Sequence, residues 1–395
     1  MTKVVVADNG AFHLRLGYAE DPGPTIICPN QIAIIRGDGR ELVGEETESS
    51  TLAHHEMLEY RRAHQRGCLI DGLIEGKVWE RALGKLGDYG EARHLLVTEP
   101  PMTPNLSKKV SDELFFEKFR FEAVARVTAQ SCVAADYTNQ YSGNNISKCN
   151  VKIIVDCGYS ATWIVPIIDS NLMFHQACKR VDIGGKLLTN LLKEELSWRH
   201  VNLMDETYVV EKCKKDVCYV ARNWKSEVPS VVEYLLPDQV NDFVGRKVYP
   251  DEDIPRATRQ VIRIAQERIN IPEVLFDPAR IALEQAGIPE AVNQCISELP
   301  WELRKEAFGN ILITGGTSRL PGFVDRFTRE VQEYHPAKVI DWSEHFDVAA
   351  WRGGVTFAKC DSFSKIAFNR KQYEEEGPYH KLSKRKKQSE IWWNL

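Results

Sequence analysis

The chain has 395 residues, 43% of them hydrophobic and 27% charged, which is the make-up of a globular protein and too long for one ordinary core, since single cores stop growing near roughly 250–300 residues. A formal net charge of -5 at pH 7 excludes a surface made wholly for nucleic acid and leaves room only for a local basic patch. No run of about 18 apolar residues suits a membrane span, and the ten scattered cysteines, none in the short pairs of zinc sites, suit reduced thiols in a cytosolic or nuclear protein.

Met1, Thr2 and Lys3 run directly into the apolar stretch Val4 to Ala7, so no secretory signal is expected. That stretch ends in Asp8-Asn9-Gly10 and returns as a second apolar run, Leu14 to Tyr18. The pattern predicts strand, tight turn, strand. The spacing predicts helices over 111–129, 185–196, 206–224 and 254–268. Between the first two of these the hairpin pattern recurs: Ile153-Ile154-Val155 leads through Asp156-Cys157-Gly158 into Trp163 to Ile168. A matched pair of such hairpins predicts two similar lobes. The polar stretch 239–254, interrupted by Gly245 and Pro250 and followed by Pro255, reads as a surface insertion. A third punctuated segment runs Asn310-Ile311-Leu312-Ile313-Thr314-Gly315-Gly316-Thr317, then Pro321-Gly322-Phe323 and a helical spacing through Val324, Phe327 and Val331. It predicts strand, Gly-Gly turn, helix, and the fold class is mixed α/β.

Polyphosphate binding needs backbone amides at close range, which glycine permits, and carboxylates that hold magnesium through its waters. Gly10, Gly158, Gly315 and Gly316 with Asp8 and Asp156 supply those residue types. One Asp-x-Gly hairpin is an ordinary turn; two matched copies together with Gly-Gly-Thr are not. Each residue also has a plain reading. The aspartates form turns through their own side chains, the glycines permit a tight strand-to-helix turn, and Phe12 and Trp163 fill core space.

The order of these loops resembles the actin, sugar kinase and heat-shock ATPase superfold. The text between them resembles actins over nearly the whole chain, at Leu96-Val97-Thr98-Glu99-Pro100-Pro101, Phe115-Phe116-Glu117-Lys118-Phe119, Asp182-Ile183-Gly184-Gly185-Lys186, Cys218-Tyr219-Val220-Ala221, Pro272-Glu273-Val274-Leu275-Phe276, Trp351-Arg352-Gly353-Gly354 and Lys371-Gln372-Tyr373-Glu374-Glu375-Glu376-Gly377-Pro378. The departures make it similar to the actin-related proteins of Swr-type chromatin remodellers.

This resemblance implies two lobes around a nucleotide cleft. The first lobe is expected over 1–150, with a loop at about 35–44 shorter than the one actins use to grip a neighbour in a filament. The second is expected over 151–340, with its insertion over about 239–266, followed by a return to the first lobe over 341–380 and a tail over 381–395. In that tail a basic run, Lys384 to Lys387, stands beside Trp392 and Trp393, suited to DNA contact or nuclear import and to a docking anchor, or else to a solvated tail folded on its own lobe.

The resemblance also carries a nucleotide site: Asp8, Asn9, Gly10 and Arg15 from the first hairpin, Asp156, Gly158 and Ser160 from the second, then Gly185, Lys214, Gly315, Gly316 and Thr317. Asp8 and Asp156 would hold magnesium through water, beside ATP or ADP bound structurally or not at all. The family's Ser and Gly stand here as Ala11 and Phe12, and its phosphate-contacting Lys as Arg15. Its acid and Gly stand as Tyr159 and Ser160, and the His near the attacking water as Trp163. The water-positioning Gln matches Gln130. Near the base Lys214 is kept, while Lys215, Leu320 and Asp347 replace an acid, an aromatic and a Lys. An indole cannot relay a proton as an imidazole does.

The expected function is therefore a catalytically silent, non-filamentous subunit in the nucleus, the cytoplasm being the other setting. Its implied partners are the remodeller ATPase, its accessory subunits, and histones or nucleosomal DNA. The alternatives are a slow ATPase or kinase of the same superfold and a cytoskeletal actin-related protein.

Overall fold

The computed structural model describes residues 3–37, 39–48, 58–87, 93–141, 151–168, 172–237, 245–249, 252, 254, 259–359, 362–375 and 377. The chain forms two compact units. One gathers the described residues of Met1–Glu48, Leu58–Gly143 and Val348–Leu395, the other those of Asn144–Asp347. The tail 381–395, with its basic run and Trp pair, lies outside the described residues.

In the first unit a six-stranded sheet has the order Phe368–Asn369, Ala123–Thr128, His94–Glu99, Val4–Asn9, His13–Tyr18, Ile26–Pro29. Val4–Asn9 pairs antiparallel with its hairpin mate and parallel with His94–Glu99. The central strand is apolar almost throughout because both faces are covered. Val5 and Ala7 face a core holding Trp79, Leu83 and Phe115, the first two from helix Gly72–Leu86. That helix opens with the Asp71 carboxylate accepting from the amides of Leu73 and Ile74, the usual N-cap arrangement. A smaller sheet joins Glu41–Val43, Ile32–Ile35 and Leu58–Arg61. Its first hairpin is tight, with Ile34 opposite Glu41 and the Ile35 amide donating to Arg40 O at 2.9 Å.

The second unit repeats the plan. Val151–Cys157 pairs antiparallel with Thr162–Ile168 and parallel with Ile311–Thr314, which pairs parallel with Val339–Asp341. Helices Gly185–Arg199, Ile288–Ser297 and Phe323–Tyr334 contribute Leu188, Leu192, Val292, Phe323 and Phe327 to its core.

Three of the predicted helices differ from what forms. Over 111–129 the helix Asn105–Asp112 widens into a looser helical turn at Glu113–Lys118, and Ala123–Thr128 is a strand. The aromatic spacing that mimics a helix comes from Phe115, Phe116 and Phe121 entering one core, while the β-branched Val124, Val127 and Thr128 suit a strand between two others. Over 206–224 the helix is Thr207–Val217 and the chain is extended by Cys218. Over 254–268, Val261–Ile264 is a strand. It pairs with Val232–Leu235, whose other edge takes Arg246–Lys247, burying Tyr234, Ile262 and Ile264. Much of the described part of the expected insertion is thus a three-stranded sheet, pinned by the Tyr234 hydroxyl donating to Gly245 O at 2.7 Å.

Trp351-Arg352-Gly353-Gly354 clasps the first unit. The Trp351 indole N–H donates to Val6 O at 3.0 Å. Arg352 makes a two-pronged pair with Asp136, Nε to Oδ1 at 2.9 Å and Nη2 to Oδ2 at 2.8 Å, the geometry that favours Arg over Lys. The glycines let helix Ala349–Lys359 lie directly on helix Ala129–Gln140: a Cβ on Gly353 would sit 1.8 Å from Cys132 O. Backbone cannot yield as a side chain tip can. Gly353→Ala is therefore expected to lower stability by about 3 kcal/mol or more, read as a fall in melting temperature; a variant that melts with the parent would show that the two helices separate freely.

Candidate functional site

In the first unit, Asp8 and Arg15 are direct cross-strand partners and form a buried ion pair, Nη1 to Oδ2 at 2.8 Å. The other Asp8 oxygen accepts the Thr98 hydroxyl at 2.9 Å, and Thr98 Oγ1 in turn accepts the Asn9 amide at 2.9 Å. Removing either ion partner would strand a buried charge, a larger cost than the net worth of the pair. The Asn30 side-chain amide donates to Asn9 Oδ1 and Gly10 O, and a Cβ on Gly10 would lie 2.9 Å from His13 O. Gln130 is buried in the first turn of helix Ala129–Gln140.

In the second unit three loops close on one another. Gly158 N donates to Asp156 O and Ala161 O, both at 3.1 Å, which tightens the hairpin turn. Gly158 O accepts Gly185 N at 3.1 Å and the Thr317 hydroxyl at 2.9 Å. Lys186 N donates to Tyr159 O at 2.8 Å. Gly315 has φ of +94°, and a Cβ there would meet Cys157 O at 2.3 Å; only glycine takes this backbone shape so close to another strand. Lys214 Nζ donates to Gly185 O at 2.9 Å and Thr189 Oγ1 at 2.7 Å. Gly158, Gly185, Lys214 and Thr317 are thus brought together, with Gly315 and Gly316 in the turn that carries Thr317.

Trp163 stands directly across from Asp156, as Arg15 stands across from Asp8. The Arg180 guanidinium covers its ring, 5.3 Å from the centroid, and is itself held by Asp182. Ser160 is half-buried in the hairpin turn. Lys215 is exposed and pairs with Glu211 at 2.9 Å, while Leu320 belongs to the core of this unit.

The donors differ in whether they are already engaged within the protein. Arg15 Nε is buried with no acceptor among the described residues, a donor left over beside the first glycine turn. Each Asp8 oxygen retains a lone pair for a metal-bound water. By contrast the Gly158, Gly185 and Lys186 amides are engaged with carbonyls of the protein itself. The indole of Trp163 donates only. Burial, with nearby carboxylates second, pushes the Cys132 and Cys157 thiols well up, so neither serves as a nucleophile.

Thr98, Asn30 and Thr189 were not singled out by sequence. Thr98 lies in one of the matched stretches, and Thr189 follows Gly185 by one helical turn; those spacings were the available signal.

The Actin family matches residues 1–387. The chain is similar to Actin-related protein 6 of Drosophila melanogaster, 33% identical over 393 residues that cover 95% of this chain and 97% of the relative. It is similar also to Actin-like protein ARP6 of Yarrowia lipolytica, 31% identical over 392 residues covering 94% and 95%, and to Actin-like protein ARP6 of Saccharomyces cerevisiae, 28% identical over 440 residues covering 95% and 96%.

Burial lowers the Lys214 pKa from 10.5 to about 8. The unfolded chain, with an ordinary lysine, then binds more protons between about pH 8 and 10.5, and stability rises with pH across that window. Compared with Lys214→Met, the parent is expected to gain about 3 kcal/mol between those pH values, measured by denaturant unfolding at each pH. A difference that stays level would show an amine in contact with water.

Proposed function

We propose that this chain, which belongs to the actin family, is a non-filamentous actin-related subunit of a nuclear chromatin remodeller of the Swr type, the class that exchanges a histone variant. In this reading it offers a rigid platform to the remodeller ATPase, the accessory subunits and the nucleosome, and catalyses nothing itself. The observation that carries the reading is Trp163. At the cross-strand position opposite Asp156, where the family's attacking water has an imidazole beside it, this chain has an indole capped by Arg180. An indole donates only and cannot take up the proton that an imidazole would.

The tight hairpin between Ile32–Ile35 and Glu41–Val43 supports the same conclusion, because actins use a longer loop at this place to grip the next subunit. The kinship with proteins named for actin-related protein 6 supports it as well. ATP or ADP with magnesium would be held as a structural plug. In the first unit Asp8 would serve the magnesium waters, and Arg15 with the Gly10 turn the phosphates; in the second, Asp156 and Lys214 are the residues that the family resemblance assigns to the magnesium waters and the base. The metal would supply charge neutralisation for the phosphates.

Purified protein is expected to release phosphate from ATP no faster than buffer does, while ATP at a hundred times its Kd raises stability by about 2.7 kcal/mol. With magnesium and ATP it is expected to stay in the supernatant on sedimentation. A native pull-down analysed by mass spectrometry is expected to return remodeller subunits and histones. Hydrolysis at actin's rate, abolished by Asp156→Ala, would establish the ATPase reading instead, and pelleting with ATP the cytoskeletal one.

A further inference from the structure

Arg62 follows the outer strand Leu58–Arg61 of the small sheet, yet its guanidinium reaches a turn about fifty residues earlier in the chain. Nη1 donates to Ala11 O at 3.2 Å and Phe12 O at 3.1 Å, and the guanidinium lies 4.5 Å from the Phe12 ring centroid. From the same side Asn30 Nδ2 donates to Gly10 O at 3.1 Å and Asn30 N to Phe12 O at 2.8 Å. All three carbonyls of the first glycine turn are thus drawn toward Arg62 and Asn30.

In a trans peptide the N–H of each residue points opposite to the preceding C=O. With the carbonyls of Gly10, Ala11 and Phe12 drawn one way, the amides of Ala11, Phe12 and His13 are turned the other. Successive amides aimed to one side form a concave anion site. The positive charge of Arg62 also stands behind the carbonyls and polarises each peptide in the sense that makes its amide a better donor.

We propose that Arg62 is the positioning residue of the anion-binding turn Gly10–Phe12, holding its amides ready for the phosphates of a nucleotide; this rests on the reading of the site as a nucleotide site. Phe12, where the family has glycine, gives Arg62 a face to stack on. The bulk that breaks the family pattern in the turn is what secures the turn's orientation. Lys in place of Arg62 would keep the charge without the planar fork or the stack.

The test compares the full-length parent with Arg62→Ala, Arg62→Lys and Phe12→Leu, using amide hydrogen exchange of the nucleotide-free protein and equilibrium binding of magnesium-ATP. In Arg62→Ala, exchange at Asn30, whose amide donates to Phe12 O, is expected to rise tenfold or more while helix Ala349–Lys359 keeps the parent's rate, and magnesium-ATP affinity is expected to fall 10- to 50-fold. Arg62→Lys is expected to recover only a minor part of either loss. Phe12→Leu, which removes only the stack, is expected to shift both readouts the same way by a smaller factor, and it carries the test if Arg62→Ala does not fold. Unchanged exchange at Asn30 in Arg62→Ala, or in Phe12→Leu where that variant carries the test, would overturn the proposal. So would full recovery of affinity in Arg62→Lys, because charge alone would then suffice. If the parent fails to bind magnesium-ATP, the nucleotide reading falls, and the exchange data alone decide whether Arg62 holds the turn.

Discussion

The carbonyl of Gly158 accepts at once from the Gly185 amide and the Thr317 hydroxyl, and the local order of the second unit's site follows from those two bonds. They join a hairpin turn, a helix start and a strand-to-helix turn that are far apart in sequence, and they need all three backbones at contact distance. That distance admits no side chain at Gly184, where a Cβ would fall 2.6 Å from Tyr159 O, or at Gly315. Lys214 then finds its place because Gly185 O, turned outward by the helix start, and Thr189 Oγ1 are both within reach of its amine. A buried ammonium is tolerable only with such acceptors.

The first unit meets the same need with charge. Asp8 with Arg15, and Asp136 with Arg352, are carboxylate–guanidinium pairs with little or no water around the carboxylate. Each joins two elements that the hydrophobic core alone would leave free to slide: two strands in one case, two helices in the other. Such pairs are a poor source of net stability and a good source of register. The repeated hairpin plan therefore survives in both units while the residue across from its aspartate, Arg15 in one and Trp163 in the other, differs entirely in chemistry.

What could be read in the sequence was what is local in the chain. The two Asp-x-Gly hairpins and the Gly-Gly turn are contiguous, so their apolar runs and punctuation announce them, and the residues proposed for the site lie within or beside them. The strands Ala123–Thr128 and Val261–Ile264 were mistaken for helix because what makes them strands lies elsewhere: His94–Glu99 for the one and Val232–Leu235 for the other. Arg62 was missed for the same reason. Its partners are separated from it by a whole small sheet, and nothing in Tyr60-Arg61-Arg62-Ala63 distinguishes a guanidinium that shapes a turn from one that meets solvent.

In each unit a glycine presses its backbone against that of a cysteine: Gly353 on Cys132 in the first, Gly315 on Cys157 in the second. Both are free thiols with no solvent exposure. Each unit thus carries a built-in chemical clock at one of its close seams, silent while the backbones touch and started when they part. The order in which an added alkylating reagent modifies the two sulfurs on gentle heating would reveal which half of the molecule loosens first, with no residue changed.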